Sequence, residues 1–152
     1  MAFSLRVFIL LCGIGGVFGV CPGGWTLFES NCYIYQNELK SFEDAEATCT
    51  ALDPEAYLVS IDRVEANTEV KNLITGTDPW IGLSDIATEG TFVWTVPLTP
   101  AIQNFADGQP DSTIDNEDCV YIAQTDGKWH AADCNLLKPY VCKRLDPTSI
   151  EG

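Results

Sequence analysis

Residues 109–134 read QPDSTIDNEDCVYIAQTDGKWHAADC. The stretch opens as a polar, turn-rich segment and ends as two short strand-forming runs, Cys119-Val120-Tyr121-Ile122 and Lys128-Trp129-His130. Outward from it, Tyr140-Val141-Cys142, Thr91-Phe92-Val93-Trp94 and Trp80-Ile81-Gly82-Leu83 read as further short strands. Residues 95–118 are rich in Pro, Asp, Asn, Gln and Gly and have almost no apolar periodicity. A loop of that length inside a compact domain points to function.

Before residue 80 the pattern is helical. Ser41 opens SFEDAEATCTAL, in which Phe42, Ala45, Cys49 and Leu52 recur at helical spacing. Ser41 is a good N-cap, with Asp44 three residues on, and Asp53-Pro54 ends the helix. Tyr57 to Ile61 predicts a short strand. Asp62 is placed to cap a second helix from Arg63 to Ile74, with Val64, Val70, Leu73 and Ile74 as its core face. Trp25–Phe28 and Cys32–Tyr35, separated by Glu29-Ser30-Asn31, predict a hairpin. Trp80, Phe92, Trp94 and Trp129 read as core filler. Two helices and a mixed set of strands carrying one long polar loop make an α+β domain.

Residues 3–20, FSLRVFILLCGIGGVFGV, have one early positive charge, an apolar run and then small residues, the layout of a secretory signal peptide ending at Gly19. The rival reading is a membrane anchor, but glycines at 13, 15, 16 and 19 interrupt a run short of the roughly 20 residues a span needs. The expected organisation is a signal peptide over 1–19, one extracellular domain over 20–145 and a short tail over 146–152, with no membrane span. Without residues 1–19 the chain has 7 basic and 22 acidic residues, a formal charge of −15. Nucleic-acid phosphates would be repelled by such an excess, whereas cations and neutral ligands would not.

Six cysteines remain after cleavage: Cys21, Cys32, Cys49, Cys119, Cys134 and Cys142. An even count in a secreted chain points to disulfides, although six cysteines allow fifteen pairings. Zinc ligation is the rival, but there is no C-x-x-C pair and His130 is the single histidine. A lone histidine without a nucleophile beside it gives hydrolysis nothing to activate, so an enzyme is not expected.

The order Cys21…Cys32, a helix bearing Cys49, a second helix, Trp80-Ile81-Gly82-Leu83, Gln109-Pro110-Asp111, Glu117-Asp118-Cys119, Trp129…Cys134 and Cys142 resembles a C-type lectin domain across essentially the whole chain after residue 19. The resemblance implies two small antiparallel sheets, core bridges Cys49–Cys142 and Cys119–Cys134, and an N-terminal bridge Cys21–Cys32. By the loop-closure estimate the Cys49–Cys142 link is worth about 4–5 kcal/mol.

For function, the resemblance implies a Ca²⁺ ion on the long loop, completed by two sugar hydroxyls. Gln109 and Asp111, flanking a proline that is cis in such members, would hold the ion together with Glu117. The Gln-Pro-Asp version is associated with galactose and N-acetylgalactosamine. Asp85, Glu89, Glu117 and Asp118 match an auxiliary Ca²⁺ site, in which Ser112 replaces an expected acid. Calcium takes six to eight oxygen ligands, which this set of carboxylates and amide suits. The chain departs from the pattern after Trp129, where His130-Ala131 stands in place of Asn-Asp. Residues 112–116 also lack the aromatic ring that commonly stacks on galactose. Phe105 takes the place of a structural tryptophan. Asp133 would reach the ion only through a bulged strand.

Two readings follow. One is a secreted Ca²⁺-dependent lectin for galactose-type glycans or microbial surface carbohydrate, serving innate defence or agglutination and gaining avidity as a homo-oligomer. The other is a lectin-like domain with a degenerate sugar site that binds a protein partner or a mineral surface.

Overall fold

The structure, a computed structural model, describes residues 21–97 and 102–145. The signal-peptide and tail readings lie outside those residues. The expected hairpin forms from β1 (Thr26–Phe28) and β2 (Asn31–Lys40), which pair antiparallel across Glu29 and Ser30. Helix α1 (Phe42–Leu52) starts where its cap predicts, the Ser41 side chain accepting the Asp44 N–H at 3.3 Å. It buries Phe42, Ala45 and Cys49. Phe42 meets the Trp80 ring edge-on at 5.8 Å, and burying a side chain of that size stabilises by roughly 1.5–3 kcal/mol.

The strand expected over 57–61 is shorter, β3 (Tyr57–Leu58), although Val59 still donates its N–H to Val141. Helix α2 (Val64–Leu73) differs from expectation at both its cap and its face. Arg63, not Asp62, is the N-cap residue, and no side chain caps the helix; the Asp62 carboxylate pairs with the Arg63 guanidinium instead. Val64 points outward, 68% exposed, while Ala66, Asn67 and Val70 face the core. The true face therefore contains a polar residue that an apolar pattern passes over. Ile74 is buried just past the helix end, and Leu73 is partly buried.

The remaining strands are β4 (Trp80–Ser84), β5 (Val93–Trp94), β6 (Cys119–Ile122), β7 (Trp129–Ala132) and β8 (Lys138–Leu145). The antiparallel ladders implied by the resemblance are present but joined. β4 lies parallel to β8 at Trp80↔Tyr140, so hydrogen bonding runs continuously in the order β1-β2-β8-β4-β6-β7, with β3 on β8 and β5 on β4. Gly82 in the middle of β4 is required by close approach. A Cβ there would lie 2.5 Å from the Leu58 carbonyl oxygen and 3.1 Å from that of Val59.

Disulfides form between Cys21 and Cys32, Cys49 and Cys142, and Cys119 and Cys134, the pairing the resemblance implies. The second ties α1 to β8; the third ties β6 to the turn after β7. Trp94, Trp129 and Phe105 interlock edge-on at 5.3 and 5.7 Å beneath the long loop, and Phe92 continues the chain at 5.5 Å from Phe105. Phe105 is thus structural, as expected.

Candidate functional site

The long loop is fastened along the open side of β7. Trp129 donates its N–H to the Asn104 carbonyl and accepts one from Ala106, both at 3.0 Å. A turn closed by Gln109 N–H on the Ala106 carbonyl, with Gly108 at φ 78°, then delivers the chain to a cis Gln109–Pro110 peptide. The stem is anchored from beneath by Asn67, which sequence reasoning did not single out. Its amide oxygen accepts the Trp129 indole N–H at 2.8 Å, and its amide nitrogen donates to the Gly127 carbonyl at 3.0 Å. Asn104 donates to that same carbonyl at 2.8 Å. A polar residue at a core position of a short helix was the available signal.

Beyond the turn the predicted ligands divide into two groups. Asp85, Glu89 and Asp118 form one cluster, each offering a carboxylate oxygen within 4.8 Å of the others. Asp85 is only 3% exposed. Its Oδ2 accepts the Gly90 N–H at 2.8 Å, and its own N–H donates to the Asp118 carbonyl at 3.0 Å. The second oxygens, Asp85 Oδ1 and Asp118 Oδ1, are buried without a hydrogen-bond partner. Buried carboxylate oxygens are costly unless paired or bound to a cation. Burial, and then the Asp85 charge, raises the Asp118 carboxyl above its ordinary range; burial and the charges of Asp85, Asp118 and Asp115 do the same to Glu89. A hard cation with oxygen preference fits this donor set.

Asp111 and Glu117 line the same cavity as Asp85 and Glu89, a space of about 290 Å³ to which Phe92 and Pro110 also contribute. Asp111 is held in place by Thr113, whose N–H and hydroxyl both donate to Oδ1 at 3.0 and 2.7 Å. Those two donors hold the carboxyl below the usual range.

Gln109 is turned the other way. Its Oε1 accepts the Ala131 N–H at 2.9 Å, against the outer edge of β7, and Gln109 does not line the cavity. Asp133 lies past the end of β7, and its carboxylate caps the following turn by accepting the Asn135 N–H at 2.9 Å. His130 stacks on Tyr121. Ile114 and Ser112, but no aromatic ring from 112–116, line the cavity.

The fold, its three disulfides and the carboxylate-lined loop beside the edge strand agree with the domain class that the sequence resembles. Residues 38–144 match the Lectin C-type domain, and the chain belongs to that family. Its members are binding proteins, not enzymes, and generally bind calcium. The chain is 33% identical over 142 residues to the human low affinity immunoglobulin epsilon Fc receptor, covering 91% of this chain and 43% of that protein. It thus spans less than half the length of that relative. Among solved structures it resembles the cow C-type carbohydrate-recognition domain of CD23, determined in the presence of GlcNAc2Man3 oligosaccharide. The TM-score is 0.77 at 31% identity, covering 84% of this chain and 98% of that one. A calcium-independent type II antifreeze protein shares the fold, with a TM-score of 0.76 at 24% identity, covering 83% and 95%. Among the described residues no helix is long and apolar enough to cross a membrane.

Proposed function

We propose that the protein is a secreted, calcium-dependent lectin whose long loop binds galactose or N-acetylgalactosamine units of glycans. The observation that carries this reading is the shared cavity of Asp111 and Glu117 with Asp85 and Glu89, next to buried carboxylate oxygens that lack partners. An auxiliary cation would relieve the mutual repulsion of Asp85, Glu89 and Asp118, and an ion beside it at Asp111 and Glu117 would have its shell completed by sugar hydroxyls from the open side. Gln109 would join Asp111 and Glu117 as a ligand only by giving up its hydrogen bond from the Ala131 N–H. Residues 1–19 act as the signal peptide, and clustering of single-site domains supplies avidity.

A second reading, binding of a protein partner or mineral surface through a degenerate sugar site, is favoured by one feature. The backbone of Ala131, which has no ligating side chain, already satisfies Gln109.

The test is retention of the mature protein on galactose and mannose resins with Ca²⁺, followed by chelator elution, alongside melting curves with and without Ca²⁺. Galactose retention lost on chelation, and lost in Asp111→Ala without unfolding, is the expected result. A protein that neither resin retains, and whose melting temperature Ca²⁺ leaves unchanged, removes the lectin reading in favour of the second.

A further inference from the structure

The three disulfides differ in how far a reagent can reach them. Cys49 and Cys142 are both fully buried, so their bridge is closed to solvent. Cys119 is also fully buried, on β6, but its partner Cys134 in the turn after β7 is half-buried. Cys134 lines a surface cavity of about 390 Å³, as do Glu43 and Glu46. The N-terminal bridge is accessible as well, through the half-buried Cys21.

Place in the fold separates the two accessible bridges. Cys21–Cys32 closes a loop that contains none of the predicted ligands. Cys119 directly follows Glu117 and Asp118. It pairs with Ser84 on β4, and beside that pair the Asp118 carbonyl accepts the Asp85 N–H at 3.0 Å. The start of β6 therefore sets where Asp118 stands against Asp85. At the other end of the bridge, the Cys134 carbonyl accepts the Phe42 N–H at 3.0 Å, which ties the turn to α1. Opening the bridge leaves that tie in place and takes away the covalent tether of the strand end that carries Glu117 and Asp118.

We propose that Cys134 is a thiol-exchange site, the sulfur at which an external dithiol opens the Cys119–Cys134 bridge and so weakens cation binding at Asp85, Glu89 and Asp118. The proposal rests on the cation part of the lectin reading, not on the sugar. A thiolate of the reagent attacks Cys134 Sγ and bonds to it; the bond to Cys119 breaks, and its electron pair leaves on Cys119 Sγ, which takes up a proton. The reagent's second thiol then displaces Cys134, which is protonated in turn. The bridge gains two electrons, and the dithiol ends as its own disulfide. Among the described residues neither Glu43 nor Glu46 forms an ion pair, so the cavity repels an anionic thiol such as glutathione more than a neutral dithiol. The coupling is reciprocal: the factor by which opening weakens the cation is the factor by which the cation protects the bridge.

The test uses the full mature chain, with Ca²⁺ as cation and dithiothreitol as dithiol, each cysteine being read by alkylation and peptide mass mapping. Cys119 and Cys134 should open before Cys49 and Cys142, and a monothiol, mercaptoethanol, should leave its transient adduct on Cys134. In a dithiothreitol redox buffer, saturating Ca²⁺ should shift the opening equilibrium about tenfold toward the disulfide and leave Cys21–Cys32 unmoved. By titration calorimetry Cys119→Ala/Cys134→Ala should bind Ca²⁺ about tenfold more weakly, while Cys21→Ala/Cys32→Ala matches the parent. Should the first variant not fold, the equilibrium on the intact chain decides. An adduct on Cys119, opening of Cys49–Cys142 in step with Cys119–Cys134, or a bridge equilibrium that bound Ca²⁺ does not move overturns the proposal and leaves the cation reading standing. An intact protein that takes up no Ca²⁺ in the calorimeter removes the cation reading, and the coupling with it.

Discussion

Asn67→Ala isolates the link between α2 and the loop. The substitution removes two hydrogen bonds, but their consequences differ. The Gly127 carbonyl keeps its bond from Asn104 and is not orphaned. The Trp129 indole N–H, in a fully buried side chain, loses its acceptor. One net hydrogen bond of about 1 kcal/mol, plus about 1–3 kcal/mol for an unsatisfied buried donor, gives a loss of about 2–4 kcal/mol. For a domain of this size that lowers the melting temperature by about 10 °C. The assay is a double-mutant cycle in urea with Trp129→Phe, which keeps the buried ring and deletes the N–H. In that background Asn67→Ala leaves no orphan, so its cost should fall to about 1 kcal/mol, a coupling of 1–3 kcal/mol. Equal costs in the two backgrounds, within about 0.5 kcal/mol, would refute the reasoning.

Three further outcomes are expected. Gly82→Ala places a methyl group against the backbone of Leu58 and Val59, and should cost about 3 kcal/mol or more, read as a fall in the urea midpoint. Without cation, Asp118 and Glu89 have folded-state pKa values raised by burial and neighbouring carboxylates. Their contribution to stability is full below the ordinary carboxylate range, about pH 4, and is lost as pH rises through the raised values. Asp118→Asn should therefore raise the melting temperature of chelator-treated protein at pH 7 more than at pH 4, and reduce the gain from added Ca²⁺. Removing the Cys119–Cys134 bridge by a double substitution to alanine opens a loop with a separation of 15 residues. It should cost about 3 kcal/mol in denaturant unfolding.

What the sequence made legible was mostly local. Ser41 and its helix could be read because a cap acts over three residues. That Asp85, Glu89 and Asp118 lie together could be read because their types and spacings sit in a recognisable framework. The α2 face could not, because Ala66, Asn67 and Val70 make a weak apolar stripe beside the more conspicuous but exposed Val64. The parallel contact of β4 with β8 joins residues 60 positions apart through a single register point, for which no short-range pattern exists. The turning of Gln109 toward Ala131 was equally hidden: a motif names a side chain's chemistry, while its partner 22 residues away decides where that chemistry points. The Tyr121–His130 pairing was only partly implicit in the strands, where each is the one half-buried residue of an otherwise buried run. Only the register between β6 and β7 brings the two rings together.

The hydrogen bonds that hold the loop to β7 have a second effect. β7 ends the sheet, and a bare terminal strand is a template on which another chain can add. The N–H groups of Trp129 and Ala131 and the Trp129 carbonyl are all taken by the loop, the Ala131 N–H by the Gln109 side chain. The recognition loop is therefore also the seal against strand addition. A variant selected for new specificity by replacing Gln109 would open part of that edge, so altered recognition and a tendency to self-associate should appear together in the same molecule.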